Sequence, residues 1–308
     1  MQVDFDIWYV RFFFIFLEKI TLHMLGCTER RLLYKMKFKG ITIISDMDGT
    51  LLTEEKTIKQ ENLNAIKYFR DNGGTFTLAS GRIYKKMTKY SCVLEIPNPI
   101  ISHNGAVLYD FNTDTVLYKA HLDGDYKNVI SEIYEKHPYM GVEVYTEHDV
   151  NFIKYNEFIK KHVEDEEFAD NIENIKWYDF SELSGDWCKI LMANSKANND
   201  ILEKELPNQY PDFNFVRSEA HYYEILPNNV SKGSAAKRLL ELMSKQTDKF
   251  YAIGDNMNDA ELLQASDLGI AVKNASDSLK KSADMVLDYT NEENAVAKVI
   301  KMIDKGEI

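Results

Sequence analysis

A chain of 308 residues, 44% of them hydrophobic, can bury a sizeable core and suits one large domain or two ordinary ones, with two the expectation. Its 37 basic against 49 acidic residues leave a net charge of −12, which argues against general nucleic-acid binding, where a concentrated basic face supplies most of the affinity. Cys27, Cys92 and Cys188 show no C-x-x-C or zinc spacing and cannot all pair with one another, which fits a reducing cytoplasm.

The first 35 residues read differently from the rest. The stretch FDIWYVRFFFIFL is strongly apolar and aromatic, yet it contains Arg11, has Asp4 and Asp6 at its front and stops at Glu18 and Lys19. It is shorter than the about 20 apolar residues that span a bilayer, so no stable membrane insertion is expected, and it lacks the basic front of a signal peptide. Two readings stay open: an N-terminal extension from an over-long start, with Met36 the true beginning, or a peripheral membrane anchor.

From Met36 onward, β and α patterns alternate. The apolar run at 41–45 is a strand, and KQENLNAIKYFRDNGG then places Leu63, Ile66 and Phe69 at helical spacing before the stop at Gly73-Gly74. A second strand at 75–79 leads through Gly81 into a helix ending near Leu94. Pro97 and Pro99 break the chain before the strand IISH, and Asn104-Gly105 reads as a hairpin turn into AVLYD. This is a β-α-β-α-β unit of a parallel sheet.

The character changes at about Ala120. A helical pattern at 125–137, strands near 142–146 and 188–193, the acidic helical stretch NEFIKKHVEDEEF and the strands FNFVRS and YYEIL show no crossover rhythm. They predict a separate α+β domain, 120–226, inserted into the first. After LPNNVSKG the alternation resumes, with helix 232–244, strand 250–253, helix 258–266, strands 268–272 and 285–288, and a final helix 293–303. The expected fold is therefore α/β: a Rossmann-like parallel-sheet core from 36–119 and 227–308, with an inserted α+β cap.

In an open α/β sheet the ligand crevice lies beyond the carboxyl ends of the parallel strands. Asp46 and Asp48 follow the first strand, where alternation puts both on one side of an extended chain and two carboxylates repel unless a cation sits between them. Ser80 and Gly81 follow the second strand; Gly254, Asp255, Asn258 and Asp259 follow the strand at 250–253; Ser231 and Lys232 open a helix. Each has a bland reading alone. DMDGT is equally a strand with an Asx turn, Ser80 a helix cap, Lys232 a solvated helix residue and His103-Asn104 a turn, while Arg82 stands between a cap contact and the surface.

The ordered set DMDGTLL, LASGR, SKG and GDNMND resembles the four motifs of the haloacid dehalogenase superfamily of phosphatases, and the insertion between the second and third resembles its Cof-type branch with a mixed α/β cap. The resemblance covers about residues 36–308. It implies that Asp46 is the nucleophile that takes a phosphoryl group and that Asp48 is the general acid and base. It implies that Asp255 joins Asp46 and the backbone carbonyl of Asp48 in holding Mg²⁺, with Asp259 in the metal set. Ser80 and Lys232 would bind the phosphate, together with Met47, Gly81 and Asn258.

The chemistry suits these residue types. A carboxylate is a weak nucleophile at phosphorus until the charge of the phosphate is neutralised, which a divalent cation does. An ammonium and a fixed hydroxyl donor would hold the transferring group, and Gly49 lets the chain turn directly after the carboxylates. The expectation is a Mg²⁺-dependent phosphomonoester hydrolase acting on a small phosphorylated metabolite, with sugar phosphates the class that the resemblance favours. A phosphotransferase or sugar-phosphate mutase would use the same aspartyl-phosphate. A non-catalytic sugar-phosphate sensor is disfavoured because the required side chains are all present. Nothing in the sequence specifies an oligomeric state.

Overall fold

The computed structural model describes residues 36–169, 172–243 and 247–308, so the two readings of residues 1–35 lie outside the described residues. The chain begins with β1 (Ile41–Asp46), α1 (Gln60–Asp71), β2 (Thr75–Ala79), α2 (Tyr84–Leu94) and β3 (Ile100–Ser102). It folds back through β4 (Val107–Asp110) and β5 (Thr115–Lys119). Next come α3 (Tyr126–Lys136), β6 (Gly141–Tyr145), β7 (Val150–Lys154), α4 (Glu157–Asp165), β8 (Lys189–Ala193), α5 (Lys196–Gln209), β9 (Asn214–Arg217) and β10 (Tyr222–Leu226). The last part is α6 (Lys232–Leu242), β11 (Lys249–Gly254), α7 (Ala260–Ala265), β12 (Leu268–Ala271), α8 (Asp277–Ser282), β13 (Met285–Val286) and α9 (Ala295–Lys305). No helix among the described residues is long and apolar enough to cross a membrane.

Eight strands form the larger sheet in the order β13-β12-β11-β1-β2-β3-β4-β5, parallel from β13 to β3 and antiparallel beyond. Its central strands are apolar on both faces, as a sheet covered by helices requires: Ile43, Ile44, Phe76, Leu78, Ala252 and Ile253 are all buried. Helix α1 buries Ile66 and Phe69 and packs with α9, while α6 packs with α7. From β1 the chain steps outward to β2 and β3 on one side, and from β11 outward to β12 and β13 on the other. That reversal between β1 and β11 opens a crevice at the carboxyl ends of the strands. Ser45 stands opposite Ile253 and Asp46 opposite Ala79, so β1, β2 and β11 end nearly in line.

Between β5 and α6 lies the second sheet, antiparallel throughout, in the order β7-β6-β8-β10-β9. Strand alternation splits its residues between two environments. Val142, Val144, Ile190, Met192, Tyr223 and Ile225 share an apolar cluster with Ile130 and Ile133 of α3 and Leu202 and Leu206 of α5. Glu143, Tyr145, Lys189, Leu191, Tyr222 and Glu224 occupy the alternate positions, and all are buried as well.

The architecture is the expected parallel-sheet α/β core with an inserted α+β cap. Four elements exceed the sequence reading: β5, β7, α5 and the six-residue α8. Strand β5 is an edge strand with no buried residue, so its periodic signal is weak. Strand β7 buries only Phe152. Helix α5 carries Asn198, Asn199 and Pro207 within KANNDILEKELPNQ, which dilutes its helical pattern. The strand expected at 285–288 shortens to Met285–Val286, and the helix expected from 258 begins as a 3₁₀ turn, Met257–Asp259. Asn104-Gly105 does turn β3 into β4.

Trp187 is fully buried in the cap cluster, with Tyr126 packed on its ring at 5.1 Å between centroids. Trp187→Ala is expected to cost about 3–5 kcal/mol of stability in urea unfolding, as other buried aromatic truncations do. A loss below about 1 kcal/mol would show that this cluster does not hold the cap together.

Candidate active site

Asp46 closes β1, Asp255 follows β11, and Asp259 ends the 3₁₀ turn that comes next. Each offers a carboxylate oxygen, and these oxygens lie within 4.8 Å of one another. Lys232, the first residue of α6, is 1% exposed; it donates to Asp46 Oδ1 at 2.5 Å and to Asp259 Oδ1 at 2.7 Å. The other oxygen of Asp259 accepts from the amides of Asp255 at 2.9 Å and Asn256 at 3.2 Å, which folds the turn. Asp255 receives the Thr50 hydroxyl at 3.0 Å.

Two buried carboxylates, Asp46 and Asp259, and the half-buried Asp255 thus stand around one ammonium, a surplus of negative charge. Burial, then the charge of Asp259, pushes the Asp46 carboxyl up to about 7 against the pull of Lys232. Burial with the charges of Asp46 and Asp259 holds Asp255 well above the carboxylate range. Burial alone would lower the Lys232 ammonium, but Asp259 and Asp46 outweigh it and keep it charged.

Asp48 is placed differently from the expectation. It lies beyond the end of β1, in the turn whose amides at Thr50, Leu51 and Leu52 converge on the Met47 carbonyl, so strand alternation does not set its direction. Its carboxylate receives Arg82 through Nε at 2.7 Å and Nη2 at 2.8 Å, and Lys56 at 2.8 Å. Among the described residues, the side-chain cations that hold Asp48 are therefore not the one that holds Asp46. Burial would raise the Asp48 carboxyl, but Arg82 and then Lys56 hold it well below the ordinary range. Gly49 follows with φ +76°, and a Cβ there would stand 2.5 Å from Asp255 Oδ2, so the turn demands glycine twice over.

A cavity of about 400 Å³ opens over these groups. Asp46, Asp48, Ser80, Gly81, Asp255 and Asn258 line it, whereas Met47, Lys232 and Asp259 are not on its wall. Met47 buries its side chain in the core, so only its backbone is left for a ligand. Ser80 is not a helix cap: α2 begins at Tyr84, and the Ser80 hydroxyl accepts the Arg82 amide at 3.2 Å. Asn258 donates to the side-chain carbonyl of Asn104 at 3.1 Å.

Residues 43–300 match the sequence model of the haloacid dehalogenase-like hydrolases. The chain belongs to this family. Two Bacillus subtilis proteins, YwtE and YcsE, each named 5-amino-6-(5-phospho-D-ribitylamino)uracil phosphatase, are similar to it. YwtE is 29% identical over 297 residues, covering 86% of this chain and 98% of its own; YcsE is 27% identical over 259 residues, covering 84% and 94%. The crystal structure of a haloacid dehalogenase-like hydrolase from Bacteroides thetaiotaomicron superposes with a TM-score of 0.70 at 25% identity, over 86% of this chain and 99% of that one.

Tyr145, Lys189, Tyr222 and Glu224 of the cap sheet, with His162 of α4 and Glu166 just after it, supply the opposite wall of this hydrolase's cavity. The sequence reading singled out none of these residues, although charges at the alternate, buried positions of apolar strands such as CKILMA and YYEIL are a readable signal. Arg82 is a cap contact: its Nη1 donates to Glu166 at 2.6 Å. His103 is buried behind the site, with burial and then the Lys189 charge lowering it to about 3, so it stays neutral.

Removal of one acid should reveal the surplus charge. Asp255 is protonated more readily in the fold than in the unfolded chain, so the folded wild type binds more protons and this group's contribution falls as pH rises above the ordinary carboxylate value. In EDTA, Asp255→Asn is expected to gain stability relative to wild type as pH rises from about 4 to about 7, read as the difference in urea midpoints. A difference that is flat or falls across that window would refute the charge surplus.

Proposed function

We propose that this phosphatase of the haloacid dehalogenase-like family hydrolyses phosphomonoesters of small polyhydroxylated metabolites, sugar phosphates above all, by transfer of the phosphoryl group to Asp46 and then to water. The observation that supports it most is the separation of charge at the end of β1. Asp46 sits in an acid-rich cluster, while Asp48, two residues on, is held by cations of its own. One carboxylate is thereby aimed at phosphorus and the other is left to handle protons.

In this reading the Asp46 carboxylate attacks phosphorus, and Asp48 gives a proton to the departing alkoxide. Asp48 then takes a proton from the water that attacks the aspartyl-phosphate. Arg82 and Lys56 keep Asp48 ionised in the ligand-free site, so they must loosen their grip for the first half-reaction, and an incoming phosphate offers them another acceptor. Ser80, Gly81 and Asn258 face the phosphate from the cavity wall, and Met47 can contribute only its backbone. Lys232 acts from behind Asp46 as a fixed positive charge.

The donor set fits Mg²⁺: it is made of oxygens, opens to the cavity through the half-buried Asp255, and carries negative charge that one lysine does not balance. Asp46, Asp255 and the backbone carbonyl of Asp48 would hold the ion, with Asp259 acting through the turn that it ties. Bound there, Mg²⁺ supplies neutralisation of the phosphate charge. The substrate class rests on the cap wall, whose carboxylates, hydroxyl and imidazole are hydrogen-bonding partners for a polyol, and on the ribityl phosphate in the names of the two relatives. We take 36–119 and 227–308 as the core and 120–226 as the cap. The free thiols Cys92 and Cys188 fit a reducing cytoplasm.

Phosphate release from p-nitrophenyl phosphate and a panel of sugar phosphates, with Mg²⁺ or with excess EDTA, tests this reading. Turnover is expected only with Mg²⁺, and Asp46→Asn is expected to lower kcat by a factor of about 10⁴. Phosphorylated product without free phosphate would make the protein a phosphotransferase or mutase. Tight binding of sugar phosphates without turnover would make it a sensor.

A further inference from the structure

Lys189 and Glu224 are both 2% exposed, far below what a charged pair in a strand usually shows. Glu224 stands opposite Leu191 in the β8–β10 register, so Lys189, two residues earlier on the same face, reaches it diagonally at 3.3 Å. A buried pair of this kind persists only where further partners satisfy it. The Lys189 ammonium also lies 4.1 Å from the centre of the Tyr145 ring, and Glu224 accepts the Ser218 hydroxyl at 2.7 Å.

The remaining partners are not in the cap. Lys189 Nζ donates to the backbone carbonyl of Gly81 at 2.9 Å, in the loop between β2 and α2 that lines the cavity. Glu224 Oε2 accepts from the side chain of Asn104 at 2.7 Å, and the carbonyl end of the same amide holds Asn258. Asn104 in turn donates its backbone N–H to the Ser80 carbonyl at 3.0 Å. Its side chain lies so close to Gly81 that a Cβ there would meet it at 3.0 Å. Two cap-borne charges thus grip both edges of the site that faces Asp46.

We infer that Lys189 and Glu224 are positioning residues that couple the seating of the cap to the geometry of the phosphate pocket, Lys189 through the Gly81 carbonyl and Glu224 through Asn104 and Asn258. This rests on the reading of Ser80, Gly81 and Asn258 as phosphate-binding. The cap then selects the leaving group and also completes the phosphate site, so any phosphate ester depends on the pair whatever its alcohol.

Direct titration of the Mg²⁺-loaded protein with inorganic orthophosphate tests this, alongside kcat/KM for p-nitrophenyl phosphate and glucose 6-phosphate. Lys189→Met and Glu224→Gln are each expected to weaken orthophosphate binding about 10- to 100-fold, and to lower kcat/KM for both esters by a similar factor, the size of effect that a small misplacement produces. Lys189→Arg, which keeps the charge and a donor, is expected to recover part of the loss. The double variant Lys189→Met/Glu224→Gln leaves no uncompensated charge buried, so it reads the same affinity if a single variant fails to fold. Orthophosphate affinity that is unchanged while the melting temperature falls would make the pair purely structural and overturn the inference. Loss on glucose 6-phosphate alone would overturn it too, by making the pair a leaving-group contact. Wild type that binds orthophosphate but hydrolyses nothing would count against the phosphatase reading, and the titration would still decide the coupling.

Discussion

A single buried ammonium sits where three parts of the chain meet. Lys232 ties the end of β1, through Asp46, to the turn after β11, through Asp259, and it does so from the first turn of a helix that lies between them in sequence. Burying such a charge is costly unless its partners are close and fixed, so the two carboxylates and the ammonium hold one another in place. The strand order supplies the rest of the constraint. Because β1 and β11 are neighbours with their carboxyl ends in line, Asp46 and Asp255 arrive side by side, and the Asp255 carboxylate accepts from the Thr50 hydroxyl. The fold concentrates charge at one crevice and leaves part of it without a counter-charge.

Two residues along, the chain solves a different problem. Asp48 belongs to a second electrostatic unit, made with Lys56 and Arg82, and Arg82 extends that unit across to Glu166 of the cap. The turn at Gly49 keeps the two units apart although their carboxylates are neighbours in sequence. Roles that require opposite protonation behaviour can then coexist on one short segment. Charged side chains therefore line the cavity from both the core and the cap.

Much of this was legible in the sequence because the core obeys simple rules. Apolar runs bounded by Gly-Asp, Ser-Gly and Asp-x-Asp mark strands that end at a ligand crevice, so Asp46, Ser80 and Asp255 were found from position alone. Direction was harder. Alternation put Asp46 and Asp48 on one side of an extended chain and failed at Asp48, because the chain turns there through hydrogen bonds that cannot be counted from residue types. Lys232 looked like a solvated helix residue, and only the tertiary fold shows that its ammonium is enclosed. The cap was least legible: β7 buries only Phe152, and α5 is interrupted by asparagines and a proline. Lys189 and Glu224 were overlooked for another reason: a charge set in an apolar strand is a readable signal, but what it pairs with depends on how the sheet is covered.

The pairing of Ile41 with Lys249 has a consequence for how the protein comes off the ribosome. Strand β1 emerges before the other described strands and helices, yet its neighbour β11 emerges only after the entire cap has been made. The cap sheet, closed by β10, can form while β1 still has an open edge toward the missing strand. Asp46 therefore spends most of synthesis without Lys232, Asp255 or Asp259, and the site is assembled in a late, long-range step rather than element by element. A nascent chain that stops short of β11 would carry Asp46 and the cap strands, but neither Asp255 nor Asp259 to complete the acidic cluster.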